Sequence, residues 1–161
     1  MSSALPSTVL RAPARMLLVL VASLALLAGF SAGPAASSAE AATTAGGKAV
    51  AAAATRAGMP YVYGATGPTR FDCSGLTQWS YRQAGRTLPR TAAQQRAAIP
   101  KIPTKSLQPG DLVFFHSSSG SVYHVGIYAG NWQIWDAPKP GRVVSKRTIW
   151  ATSGVTWGRV A

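Results

Sequence analysis

The chain has 161 residues and a formal net charge of +12, a length that gives one compact domain and leaves no room for two large ones. Its single cysteine excludes an intramolecular disulfide framework. No His-Glu-x-x-His or Cys-x-x-Cys spacing is present, and the scattered basic residues match no base-reading motif. We therefore expect neither a metal nor another cofactor, and no nucleic-acid partner.

The first 41 residues have the order of a secretory signal peptide. A basic segment precedes an apolar run over 16–30, and small residues follow it. Because this run is short for a membrane span, we expect cleavage near residue 40 and export of the remainder; a retained membrane anchor is the alternative. Residues 42–47 are predicted to form a short linker and residues 48–161 a single domain.

The exported part is strongly basic. It carries 14 of the 16 Lys and Arg residues but only three acidic residues beyond Glu40, a net charge of +11. Such a surface is expected to associate with polyanions, which outside the cell are anionic wall polymers or membrane surfaces before nucleic acid. The alternative is a solvated surface that only maintains solubility.

Cys73 is the residue around which the sequence is organised. A lone thiol in an exported chain is either buried and inert or used chemically. The residues after it follow helical spacing up to Gly85, and Asp72 precedes it as the predicted N-cap. In the first turn of a helix, unpaired backbone amides and the positive dipole end favour the reactive thiolate. We expect the Asp72 carboxylate to face these amides or a ligand rather than the sulfur.

The chain changes from helical to strand periodicity along its length. Helices are predicted over 48–57 and, with Thr91 as N-cap, over 92–98, followed by a proline-punctuated loop over 102–110. Helices followed by strands with hairpin-length gaps predict an α+β domain, with the helices packed against an antiparallel sheet of five to six strands. The predicted strands are short segments rich in β-branched and aromatic residues: 112–116, 122–129, 132–136, 142–147 and 155–160.

A cysteine nucleophile needs a base, and the chain has two histidines. His124 lies inside a predicted strand on its less apolar face, whereas His116 ends a strand beside a serine-rich loop. We expect His124 to be the base and His116 a satisfied surface residue. Asp136 is the predicted orienting group. A three-residue hairpin loop over 129–131 would place it directly opposite His124, whereas a two-residue turn at 130–131 would put it on the other face.

With Cys73, His124 and Asp136 in view, the chain resembles the NlpC family of papain-like bacterial cell-wall cysteine peptidases, also called the p-sixty endopeptidases. The likeness covers roughly residues 47–160. Each motif alone is weak, and their common order makes the likeness specific. The motifs are 60–64 (PYVYG), 71–76 (FDCSGL), 88–91 (LPRT), 108–115 (QPGDLVFF) and 124–128 (HVGIY).

The resemblance implies a papain-like fold and hydrolysis of amide bonds in peptidoglycan stem peptides, most often between D-γ-glutamyl and a diamino acid. It implies Cys73 as nucleophile, His124 as base and Asp136 as the third polar member, at a position where the family's commonest residue is His. It also places Tyr61 beside the thiol. We expect a monomer that is secreted or associated with the cell wall.

Three further residues are predicted ligands for the charged groups of a stem peptide: Asp72, Ser74 and Arg90. Their alternative roles are a helix cap, a helix-surface hydroxyl and a solvated arginine. The five tryptophans are expected to be core residues rather than groove residues, and Trp135, out of phase with Asp136, is the one least expected to touch the site. Asp111 is predicted to fix a turn rather than bind metal.

Other function classes remain open from the sequence. A non-catalytic wall-binding module would keep the fold and the basic surface without the chemistry. An acyltransferase or N-acyl amidase would use the same thiol with another acceptor or bond. A zinc hydrolase would have to draw its ligands from Cys73, His116, His124 and Asp136, without a recognised spacing.

Overall fold

A computed structural model describes residues 44–151 and 153–161. The predicted signal peptide, with its cleavage zone, and residues 42–43 of the predicted linker lie outside these residues. Within the described residues the fold is α+β, as predicted, with three helices and a six-stranded antiparallel sheet. The elements are α1 (Ala45–Ala54), α2 (Cys73–Gln83), α3 (Ala92–Ala98), β1 (Lys101–Ile102), a 3₁₀ helix (Thr104–Ser106), β2 (Leu112–His116), β3 (Val122–Gly130), β4 (Gln133–Asp136), β5 (Ser145–Thr148) and β6 (Val155–Gly158).

The strands lie in the order β1-β6-β2-β3-β4-β5, so the longest strand, β3, is central. The two-residue β1 falls where a loop was predicted, because Lys101 and Ile102 pair with the end of β6. The prediction for the fifth strand was wrong at its start: β5 begins at Ser145 instead of residue 142. Residues 142–144 instead pair with the loop before α2, since the Tyr61 amide donates to the Arg142 carbonyl and the Val144 amide donates to the Met59 carbonyl.

Both faces of the sheet are covered by apolar side chains. Leu112 and Phe114 of β2 belong to the larger cluster, which contains Leu76 of α2, whereas Val113 and Phe115 belong to a smaller cluster. Alternate residues of a strand point to opposite faces, so burial on both sides explains the continuous apolar run in β2. Within the described ranges, no helix combines the length and apolar character that a membrane crossing requires.

The first helix begins earlier than predicted. Thr44 is its N-cap, and its hydroxyl accepts a hydrogen bond from the Gly47 amide at 3.0 Å. This cap satisfies an amide that has no partner within the helix and so makes a start at Ala45 favourable. Residues 45–47, predicted as part of a linker, are therefore helical.

The start of α2 is fixed by the loop that precedes it. Phe71 is completely buried in the larger cluster. The Asp72 amide donates to the Ala65 carbonyl at 2.9 Å, and the Asp72 side chain caps the helix. The predicted N-cap is confirmed, and the loop over 60–71 holds Cys73 at the first helical position.

The hairpin between β3 and β4 differs from the predicted one. Its turn has two residues with positive φ, Asn131 at 51° and Trp132 at 58°, the backbone of a type I′ turn. Gly130 pairs with Gln133, but the register then shifts by one residue, so that Ile127 pairs with Trp135. The predicted three-residue loop and the direct His124–Asp136 pairing were wrong.

A bulge at this shift nevertheless keeps the two catalytic candidates on one face. Continuing the register from Ile127 places Gly126 opposite Asp136, so His124 is the diagonal neighbour of Asp136. An extra residue in one strand restores the parity that the two-residue turn would otherwise have reversed. Diagonal neighbours remain within reach of long side chains.

We predict that Gly75→Ala destabilises the domain, although alanine is the better helix former. A Cβ at Gly75 would lie 2.1 Å from the Ala65 carbonyl oxygen, so α2 and the preceding loop would have to separate. Overpacking of this kind costs about 1–3 kcal/mol, whereas Gly to Ala in an unconstrained helix raises stability by about 0.5–1 kcal/mol. Urea unfolding of both proteins measures the difference. Unchanged or increased stability would contradict the close packing.

Candidate active site

Cys73 is half-buried at the N-terminus of α2. It packs against the larger cluster but also lines an open cleft of about 440 Å³. Its sulfur is therefore not enclosed in hydrocarbon. The Cys73 backbone N–H donates to no acceptor among the described residues, as expected for the first amide of a helix.

The Asp72 carboxylate faces backbone amides, as predicted. Oδ1 accepts from the Gly75 amide at 2.7 Å, and Oδ2 accepts from the Gly64 amide at 2.9 Å. Burial raises the pKa of Asp72, but hydrogen bonds from Arg90 and from these amides outweigh it and leave the pKa below its ordinary value. The carboxylate is thus ionised and bound to its own loop, which confirms its role as a helix cap.

Arg90 and Ser74 complete a polar network with Asp72. Nη1 of Arg90 donates to Asp72 Oδ1 at 3.1 Å and to the Ser74 hydroxyl oxygen at 2.9 Å. Arg90 is half-buried and Ser74 is buried, so neither is a freely solvated surface residue. Tyr61 lines the same cleft. Burial and the negative charges of Cys73 and Asp72 raise the pKa of its phenol.

His124 lies in β3 opposite Phe115 and is only 5% exposed. Its Nε2 is 2.7 Å from Asp136 Oδ2, so Nδ1 is the ring nitrogen left for the thiol. Burial lowers the pKa of His124, but the hydrogen bond to Asp136 and the electrostatic interaction with the nearby Cys73 side chain raise it to about 9. The structure thus brings together the three residues predicted as catalytic.

His116 is occupied elsewhere, in line with its predicted role as a satisfied residue. Its Nδ1 is 2.9 Å from the Gly120 carbonyl oxygen, and its Nε2 is 2.8 Å from the Thr156 hydroxyl. Asp111 accepts a 2.7 Å hydrogen bond from the Gln108 amide, which confirms its predicted role in a turn. The described residues contain no group of three or more His, Cys, Asp or Glu side chains that could hold a metal ion.

Sequence reasoning missed Arg147. It lies on β5 and binds the completely buried Asp136 through two nitrogens, with Nε donating to Oδ1 at 2.9 Å and Nη2 to Oδ2. Burial raises the pKa of Asp136, but hydrogen bonds from His124 and Arg147 outweigh it and keep the pKa below its ordinary value. A two-pronged guanidinium fixes the carboxylate plane as well as its charge.

Trp150 was predicted as core but is 48% exposed beside the site. Its ring stacks on Phe115 at a centroid distance of 4.2 Å and lies 5.7 Å from the His124 ring. The Arg147 guanidinium carbon is 4.5 Å from its centroid. The aromatic ring therefore shields the buried imidazole on one side. By contrast, Trp135 packs against the larger cluster.

Known proteins resemble this chain in both sequence and fold. A probable endopeptidase of Corynebacterium glutamicum is 44% identical over 116 residues, which is 72% of this chain and 54% of the relative. The bifunctional muramidase/DL-endopeptidase CwlT of Bacillus subtilis is 44% identical over 108 residues, 64% of this chain and 33% of that protein. The chain thus spans about half or less of the length of these relatives.

Among solved structures, the NlpC/p60 domain of the peptidoglycan hydrolase SagA matches with a TM-score of 0.64 and 35% identity, over 71% of this chain and 98% of that one. RipD of Mycobacterium tuberculosis, described as a non-catalytic NlpC/p60 domain protein adapted to peptidoglycan binding, matches with a TM-score of 0.62 and 28% identity, over 73% of this chain and 98% of that one. The NlpC/P60 family model matches residues 58–157, a range that contains every predicted site residue. The chain belongs to the NlpC/P60 family.

Proposed function

We propose that this protein is a peptidoglycan endopeptidase that cleaves the D-γ-glutamyl–diamino acid bond of stem peptides. The observation that carries the proposal is the buried His124 imidazole, which is bonded to Asp136 at 2.7 Å and interacts electrostatically with Cys73, a residue that lines the open cleft. Family membership supports the reaction class. The DL-endopeptidase named in the Bacillus subtilis relative supports the choice of bond.

In the proposed reaction the Cys73 thiolate attacks the γ-glutamyl carbonyl. The His124 imidazolium then gives its Nδ1 proton to the departing amine, and the C–N bond breaks to leave an acyl-enzyme. Water, deprotonated by the now neutral His124, hydrolyses the thioester and releases Cys73. Asp136 remains ionised throughout and holds the ring in the tautomer that the transfer needs.

The unpaired Cys73 amide is the proposed donor to the oxyanion of the tetrahedral intermediate, since it lies at the end of the helix that carries the sulfur. The phenol of Tyr61, on the same cleft, is a second donor. We assign Asp72, Ser74 and Arg90 to the acyl side of the cleft, where their bonded network offers charged and polar groups to a stem peptide.

The site of action is proposed to be outside the membrane. A signal peptide over 1–41 would export the domain, as a monomer, to peptidoglycan. The basic surface would retain it on anionic wall polymers. The proposals on export, oligomeric state and polymer binding are supported by the sequence.

The second candidate function is wall binding without catalysis, since RipD has this fold and is described as non-catalytic. In this chain, however, Cys73 is accessible from a cleft and His124 is bonded to a carboxylate. These features supply a nucleophile, a proton carrier and an orienting group, which binding alone does not require.

We predict that Cys73→Ala abolishes cleavage of purified muropeptides, because Cys73 supplies the only thiol of the chain. Mass spectrometry of the digests identifies both the bond broken and the acceptor of the acyl group. Water as acceptor supports a hydrolase, and an amine would indicate an acyltransferase. Muropeptides that remain intact with wild-type protein, while wall binding persists, would favour the binding module.

We predict that kcat/KM for the wild type falls above about pH 9, where the His124 imidazolium loses its proton. Asp136→Asn removes an anion that favours the charged ring, so its pKa decreases and this alkaline limb moves to lower pH. His116→Gln is the matched control and should leave the limb in place. An alkaline limb that Asp136→Asn does not move would contradict the proposed role of the carboxylate.

A further inference from the structure

A second cleft lies on the His124 side of the site. The first cleft is lined by Cys73 and the second by His124, and Tyr123 lines both. The second has a volume of about 420 Å³. Cys73 and His124 therefore line different clefts, and the exposed Tyr123 lines both of them.

The second cleft is cationic. Lys139, Arg142 and Arg147 line it, together with the exposed aromatic rings of Tyr123 and Trp150. Arg147 is paired with Asp136, whereas Lys139 and Arg142 are exposed and form no ion pair within the described chain. The cleft lining includes no acidic residue.

Acidic side chains elsewhere in the described ranges cannot neutralise these cations. The three carboxylates, Asp72, Asp111 and Asp136, are all buried, and each is bonded to an arginine. Lys139 and Arg142 therefore have no competing side-chain carboxylate on the surface of the described ranges, and an anion entering the cleft would meet both positive charges.

A tight turn fixes the positions of Lys139 and Arg142. The Arg142 amide donates to the Lys139 carbonyl at 3.1 Å, with Pro140 second and Gly141 third in the turn, the latter at φ +78°. This is the backbone of a type II turn, which brings its first and fourth Cα atoms within about 7 Å. The Arg142 carbonyl also accepts from the Tyr61 amide at 2.9 Å, so the turn is anchored to the loop of the active site.

The chemistry of the proposed reaction assigns a substrate side to each cleft. A histidine that protonates the departing amine must lie next to the leaving group, whereas the acyl group stays on the sulfur. The cleft beside His124 is thus the leaving-group side. In the proposed substrate the leaving residue is a diamino acid, and when that residue is dicarboxylic its side chain carries a carboxylate.

We propose that the cleft lined by Lys139 and Arg142 receives the leaving residue and selects a free side-chain carboxylate on it. Tyr123 and Trp150 flank the aliphatic part of that residue. This assignment rests on the proposed endopeptidase function and adds the chemical class that its leaving-group side accepts. Amidation of the carboxylate removes the charge that the two cations recognise.

The test compares two stem peptides that share the L-Ala-γ-D-Glu part. In one the leaving diamino dicarboxylic acid has a free side-chain carboxylate, and in the other that group is amidated. We expect wild-type kcat/KM to favour the free acid by about five- to tenfold at low salt, the sum of two exposed ion pairs. The preference should weaken as ionic strength rises.

Lys139→Gln/Arg142→Gln should bring this ratio close to one. The matched control is Lys101→Gln/Lys105→Gln, which removes two charges from β1 and the adjoining 3₁₀ helix. Because β1 and β5 are opposite edges of the sheet, this control should keep the wild-type ratio. It separates a local effect from the loss of overall charge.

The remaining outcomes distinguish failure of the cleft assignment from failure of the endopeptidase function. Equal cleavage of both peptides by wild type, or an unchanged ratio in Lys139→Gln/Arg142→Gln, would overturn the cleft assignment and leave the endopeptidase function standing. Cleavage of neither peptide by wild type would reject that function and the assignment with it. An unchanged ratio with weakened binding to isolated cell walls would assign the two residues to a polyanion surface instead.

Discussion

The rest of the site depends on one buried charge arrangement, an imidazolium held between a sulfur and a carboxylate. Burial alone would make His124 neutral, but Asp136 and Cys73 raise its pKa to about 9. Arg147 in turn offsets the free-energy cost of burying the Asp136 carboxylate, because it donates hydrogen bonds to both carboxylate oxygens. The charge state of His124 therefore depends on side chains from three different elements, α2, β4 and β5, which explains why the sheet register matters as much as the residue types.

Sequence reasoning could place Cys73 and its cap because both depend on local rules, namely helical spacing and an Asp directly before the first turn. The meeting of His124 and Asp136 was expected, but from the wrong register. The bulge before Gly130 that restores their common face has no signature in single-residue propensities. The contact between Arg147 and Asp136 could not be predicted because the segment between β4 and β5 is irregular. The alternation of side chains between the two faces of the sheet cannot be counted across such a segment.

The distribution of charge links the fold to the proposed chemistry. The described residues include three acidic side chains, and all three are buried. Asp72 caps α2, Asp111 fixes the turn before β2, and Asp136 is bonded to His124. Each carboxylate is bonded to an arginine. The remaining basic side chains give a surface without acidic neighbours, on which anionic groups of a substrate or of the wall can be recognised locally.

The protonation state of His124 in the resting protein tests this account most directly. Nitrogen NMR of imidazole-labelled protein at pH 7.5 distinguishes a ring protonated at both nitrogens from a neutral tautomer, with His116 as the internal reference. The charged arrangement predicts that both nitrogens of His124 carry protons at this pH and that the ring titrates near pH 9. A neutral His124 that titrates near its ordinary value of about 6.5 would contradict it.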